Sequence, residues 1–161
     1  MIRKAKMEEL DEILSVYDFA RNFMRESGNP TQWAGGYPKR ELLTDDIEKG
    51  QLYVVDEDGE ITGVFAYIGG RDKTYAYIED GAWLSDEPYK TIHRVGAGKK
   101  GRGIMKKVCD FCKEDFSNLR IETHNDNKKM QYLKEKNGFK RCGIIYVEDG
   151  SPRIAYQYIK E

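Results

Sequence analysis

Residues 92–108 read Ile92-His93-Arg94-Val95-Gly96-Ala97-Gly98-Lys99-Lys100-Gly101-Arg102-Gly103-Ile104-Met105-Lys106-Lys107-Val108. The first half has the composition of a strand, and the middle is rich in glycine and positive charge. The end opens an apolar periodicity, carried on by Phe111, Cys112 and Phe116, that predicts a helix from about Gly103 to Phe116. A strand, a tight turn and a helix in this order make an anion site, because the first N–H groups of a helix have no partner within it and its dipole adds positive potential. Small residues let the backbone approach a ligand closely, and Lys99, Lys100 and Arg102 add charge. A pyrophosphate is the natural ligand of such a turn, and a solvated basic turn capping a helix is the competing reading. The nucleotide pattern GxxxxGK[ST] does not occur in the stretch.

Working outward, Met1 to Lys4 reads as a short strand. Met7, Leu10, Ile13, Leu14, Tyr17 and Met24 mark one face of a helix that Gly28, Asn29 and Pro30 end. Thr31 to Arg40 reads as an aromatic loop, followed by a short helix with Thr44 as its N-cap and Gly50 beyond its end. Leu52 to Val55 and Ile61 to Ile68 form a hairpin about Asp58-Gly59. Strands over Tyr75–Ile78, Thr91–Ala97 and Leu119–Thr123 are predicted. A helix over Lys128–Lys136, stopped by Asn137-Gly138, and a closing hairpin of Phe139–Val147 with Ile154–Ile159 complete the chain. The expected fold is mixed α/β: a mostly antiparallel sheet flanked by helices, with two central strands made parallel by the strand–helix–strand unit that begins at Ala97.

The 161 residues suit one domain, residues 1–161, and no linker, repeat or low-complexity tract divides them. Lys+Arg 27 against Asp+Glu 28 gives a net charge of -1, which argues against a nucleic-acid binder. No apolar run approaches the roughly 20 residues that span a bilayer. Three cysteines, Cys109, Cys112 and Cys142, with no signal-peptide pattern, suggest a reducing, cytoplasmic setting. Cys109 and Cys112 fall at helical core spacing with no second ligand pair, so a buried structural role is expected for them and no metal site.

The 92–108 stretch resembles the coenzyme A loop of the GNAT acetyltransferase superfamily, Q/R-x-x-G-x-G/A. Lys100-Gly101-Arg102-Gly103-Ile104-Met105 occupies that pattern, with Lys100 in the Gln/Arg slot and Met105 in the last Gly/Ala slot. The later stretch Asn127 to Phe139 is similar to the family's N-x-x-A-x-x-L-Y-x-x-x-G-F, matching at Asn127, Leu133, Gly138 and Phe139, with Met130 in the Ala slot and Lys134 in the Tyr slot. The resemblance implies a GNAT-like sheet with splayed central parallel strands, and acetyl-CoA as cosubstrate. It implies cofactor contacts at Val95, Gly96, Ala97, Lys100, Gly101, Arg102, Gly103, Ile104, Asn127 and Met130. It implies direct attack of a primary amine on the thioester, whose carbonyl a backbone N–H of Val95–Ala97 polarises. With Lys134 where the family has a Tyr general acid, a non-catalytic acyl-CoA-binding or sensing module is the alternative.

A free alkylamine has a pKa of about 10, so a base must take its proton. His93, Glu79, Asp80 and Glu122 are candidates by their place on or beside central strands. Strand alternation would put His93 and Val95 on one face, and a structural role is the competing reading of each. Trp33, Tyr37, Trp83 and Tyr89 are candidate acceptor-pocket walls, suited to a cationic amine or an apolar chain, with ordinary core or loop packing as the competing reading of each. The expected partners are a small-molecule or protein amine and, through an edge strand of the closing hairpin, a second copy in a homodimer, with no nucleic acid or membrane.

Overall fold

The computed structural model describes residues 1–29 and 33–161. Strand β1 (Ile2–Lys4) and a single 3-10 turn, Met7–Glu9, precede helix α1 (Leu10–Glu26), followed by α2 (Arg40–Glu48), β2 (Leu52–Glu57), β3 (Glu60–Gly69) and β4 (Lys90–Ala97). Then come α3 (Ile104–Asp115), β5 (Asn118–Thr123), α4 (Lys128–Lys136), β6 (Lys140–Tyr146) and β7 (Pro152–Ile159). The strands form one seven-stranded sheet in the order β1-β2-β3-β4-β5-β7-β6. β4 and β5 are the parallel pair, through Lys90↔Leu119 and Thr91↔Arg120. Antiparallel ladders join β1 to β2, β2 to β3, β5 to β7 and β7 to β6. The chain groups into two units: Met1–Tyr67 with His93–Val108, and Ile68–Ile92 with Cys109–Glu161.

In the first unit, α1 buries Leu10, Ile13, Val16, Tyr17 and Ala20, a spacing that keeps one face inward. Gly28, at φ +87°, turns the chain at its end. Met7, predicted on the helix face, lies in the 3-10 turn and is exposed. Pro30, the predicted helix terminator, and the Thr31 start of the aromatic loop lie outside the described residues. The β2–β3 turn has positive φ at both Asp58 and Gly59, the geometry whose twist suits a two-residue hairpin. β3 is buried continuously from Ile61 to Tyr67, as an interior strand covered on both faces must be.

In the second unit, α3 buries Cys109 and Cys112, neither of them in a disulfide, as the helical spacing predicts. Tyr75, Tyr89, Ile145 and Ala155 form a core cluster against which Ile78, Trp83 and Val147 pack.

Two expected elements differ. The helix after the aromatic loop begins at Arg40, with Lys39 at its N-cap and Thr44 in its interior, because the buried pair Leu43 and Asp46 orients the whole turn before Thr44. The predicted strand over Tyr75–Ile78 does not form. Asp72 accepts from the Thr74 N–H and caps a 3-10 turn, Lys73–Tyr75, and Glu79 alone pairs, through an isolated bridge to Ile144.

Candidate active site

The 92–108 stretch is built as the sequence predicts: β4 to Ala97, a turn, and α3 from Ile104. The turn is pinned from behind, where the Gly98 N–H donates to the Thr62 carbonyl at 3.0 Å and the Gly101 N–H to the Gly98 carbonyl at 3.0 Å. A Cβ on Gly101 would lie 2.6 Å from the Thr62 oxygen, so glycine here serves packing against β3. Gly103 is the opposite case: its φ is +60° and nothing lies within 4 Å of where its Cβ would be. Its carbonyl accepts the Lys107 N–H, so it stands at the start of α3 on an open side. Ile104 and Met105, both 4% exposed, anchor that first turn inward.

Two of the three cations of the turn have surface partners. Lys100 meets Glu60 at 3.3 Å with both groups largely exposed, a pairing worth roughly 0–1 kcal/mol. Arg102 folds back on the carbonyls of Lys99 and Gly101, and among the described residues Lys99 has no ion pair. The open glycine and the helix N-terminus with releasable cations beside it suit a pyrophosphate.

β4 is interrupted at Arg94, a non-glycine residue at φ +55°, a conformation costing on the order of 1–3 kcal/mol. The left-handed residue breaks the alternation of the strand, so the expectation that His93 and Val95 share a face loses its basis. His93 itself is half-buried on β4. Three neighbours grip Arg94. The Tyr17 hydroxyl donates to its carbonyl at 2.7 Å, and its guanidinium donates to both carboxylate oxygens of Asp46, Nε to Oδ2 at 3.1 Å and Nη2 to Oδ1 at 3.0 Å. Its Nη1 also donates to the Tyr37 hydroxyl at 3.2 Å. Asp46 is 1% exposed and takes a further bond from Gln51 Nε2 at 2.8 Å. Trp33 lies edge-on to Tyr17 and 6.3 Å from Tyr37, so two of the four aromatic candidates gather over the left-handed turn.

The other two lie in the second unit and hold a cation. The Arg120 guanidinium is sandwiched between Trp83 and Tyr89, 3.9 Å from each ring centroid, and donates to the Ser85 carbonyl at 2.8 Å. Burial pulls its pKa down. Tyr89 is 4% exposed and Trp83 donates its indole N–H to the Tyr75 carbonyl, so both rings carry core packing.

Among the candidate bases, Glu79 accepts from the hydroxyls of Tyr146 and Tyr77, bonds that hold its carboxyl below the usual range and make it a weak base. Asp80 is exposed and at φ +57°, next to that bridge. Glu122 on β5 accepts from the Tyr75 hydroxyl, and burial keeps that phenol protonated. Asn127 caps α4, its side chain accepting from the Met130 N–H at 3.1 Å. Lys134, on the same helix, is 2% exposed with its Nζ donating to the Glu122 carbonyl at 2.7 Å, and burial pulls its ammonium down to about 7.

The sequence matches no protein-family model and no curated protein. Among solved structures, a GNAT-family acetyltransferase from Streptococcus agalactiae 2603 is similar over 100% of this chain and 95% of its own, at 34% identity and a TM-score of 0.92. The chain belongs to the GNAT family of acetyltransferases. A GNAT-family acetyltransferase from Listeria monocytogenes 4b F2365 shares the fold at 19% identity and a TM-score of 0.72, covering 99% of this chain and 94% of its own. A ribosomal-protein-alanine N-acetyltransferase from Brucella melitensis does so at 17% identity and a TM-score of 0.63, covering 99% of each chain.

For this GNAT acetyltransferase the sequence reading missed Asp46, Arg94 and Tyr17. A signal for Asp46 was present: it lies three residues after Leu43, on the face that the short helix buries. Nothing local marks Arg94 as left-handed, since its conformation is imposed by partners 48, 57 and 77 positions away. No helix among the described residues is long and apolar enough to cross a membrane.

Proposed function

We propose that this GNAT acetyltransferase transfers the acetyl group of acetyl-CoA to a primary amine by direct attack within a ternary complex, the new C–N bond replacing the C–S bond and coenzyme A leaving as its thiolate. The observation that carries this reading is Gly103: a left-handed glycine at the N-terminus of α3 that faces open space, although Gly101, two residues earlier, is jammed against β3. Packing requires the one, and close approach of a ligand accounts for the other. In this reading the turn from Lys100 to Ile104 holds the pyrophosphate. Backbone N–H groups of Val95–Ala97 polarise the thioester carbonyl, and one such donor is worth about 3–4 kcal/mol in acyl transfer. The bound thioester supplies the acetyl group, and the chain supplies position and charge. The amine, from a small molecule or a protein, passes Trp33 and Tyr37 and gives up its proton to His93, directly or through water. Glu79 is the weaker choice, because its lone pairs are engaged by two phenols. The setting proposed is cytoplasmic, in keeping with three cysteines that form no disulfide.

A homodimer through the edge strand β6 remains part of the proposal, but that edge is partly covered, since Glu79 exchanges both backbone bonds with Ile144. Light scattering decides it. One observation favours the second reading, a non-catalytic acyl-CoA-binding module: Lys134 is sealed in the interior with its amine committed to the Glu122 carbonyl. An acetylated amine formed with turnover excludes that reading.

The test is calorimetric titration of acetyl-CoA into wild type, Gly103→Trp and Gly103→Asn. Binding to wild type and to Gly103→Asn, which tolerates a left-handed backbone, with loss in Gly103→Trp, is the expected result. No binding to the wild type overturns the reading.

A further inference from the structure

We propose that Asp46 is a positioning residue for acyl transfer, holding through its paired bonds to Arg94 the left-handed turn of β4 that aims the following N–H groups. This rests on the reading that the thioester lies along Val95–Ala97. A strand residue at φ +55° without a glycine returns to the extended form unless its neighbours forbid it. Here the restraint is specific. Tyr17 holds the backbone carbonyl of Arg94, and Asp46, from α2, holds the side chain with two bonds in the fork geometry that matches guanidinium to carboxylate. Asp46 is 1% exposed and is itself oriented by Gln51, so the clamp is rigid. The remaining Arg94 donor reaches the Tyr37 hydroxyl, which ties the same turn to the loop proposed to face the acceptor. Every member of the clamp lies in the first unit. A buried ion pair is a poor source of net stability, whereas fixing a donor at the place where charge develops is what acyl transfer requires.

The experiment follows the thioester carbonyl itself, so it needs no amine. Acetyl-CoA isotope-labelled at that carbonyl is bound to the full chain, and its stretching frequency is read by difference infrared spectroscopy. In the wild type the band moves to lower frequency than in free acetyl-CoA. In Asp46→Asn the affinity for acetyl-CoA stays within about threefold and the band returns toward its free position. Combining Asp46→Asn with Arg94→Gly restores the shift, because glycine adopts a positive φ without a clamp. A band in Asp46→Asn that stays at the wild-type frequency overturns the positioning role and leaves the cofactor reading intact. Absence of binding or of any shift in the wild type overturns the cofactor reading, and the positioning role with it. If Asp46→Asn alone does not fold, the double variant decides: a folded double variant with the shift supports the proposal, and one without it rejects it.

Discussion

Lys134 shows how far a residue can depart from the chemistry its type suggests. Its α4 neighbours are polar and its composition reads as surface, yet it is 2% exposed, and burial lowers its ammonium to about 7. The unfolded chain keeps that proton up to the ordinary lysine value of about 10.4. Between the two values the unfolded state therefore binds more protons, and stability rises with pH. The cost of burying the charge is full below pH 7 and is relieved as the pH climbs. Lys134→Met removes the cost, so the variant is expected to be more stable than wild type in urea at pH 6, with the difference shrinking by pH 9. A difference that does not change between pH 6 and pH 9 would show that the folded-state amine keeps its proton throughout that range, with no lowered pKa. Arg120 meets the same problem by another route, with two aromatic faces at 3.9 Å in place of a carboxylate of its own depth, since Asp86 is 80% exposed.

At the scale of the element, the strand–turn–helix from β4 to α3 uses its glycines for two different ends. Gly101→Ala drives a Cβ to 2.6 Å from the Thr62 carbonyl oxygen and 3.0 Å from Ile104 Cγ1, and the β3 backbone cannot move aside. An overpacking cost of about 1–3 kcal/mol is expected. Gly103→Ala meets open space and pays for its positive φ alone, about 1 kcal/mol. Chemical denaturation of both variants tests the order: equal losses, or a larger one at Gly103, would contradict the packing account. The order of elements was legible because each segment carries its own periodicity and stop signal, as in the Asp58-Gly59 turn and the Asn137-Gly138 helix end. The Tyr75–Ile78 stretch was misread for a physical reason: its tyrosines have the propensity of a strand, but Asp72 caps a turn at its start. Tyr75 is drawn instead into the core with Tyr89 and Ile145. Propensity records what a side chain prefers to pack against, and here that preference was met without a ladder.

At the scale of the molecule, a ligand that binds only the folded chain must stabilise it. Acetyl-CoA at 100 times its Kd is expected to add about 2.7 kcal/mol, a rise in Tm of roughly 5–10 °C for a chain of this length. Unchanged melting at that saturation would contradict specific binding to the native state. The sequence by itself determined the family, the order of nearly all the elements, the parallel pair and the turn that faces the proposed pyrophosphate, because each rests on residues close together in the chain. Only the tertiary structure decided what Arg94, Asp46, Arg120 and Lys134 do. It set a left-handed residue in mid-strand, sent Trp33 and Tyr37 to it, and gave Trp83 and Tyr89 to the cage around Arg120. Periodicity reports which face of an element is apolar. It carries no information about which distant charge meets which partner there, and that pairing exists only once the chain has folded.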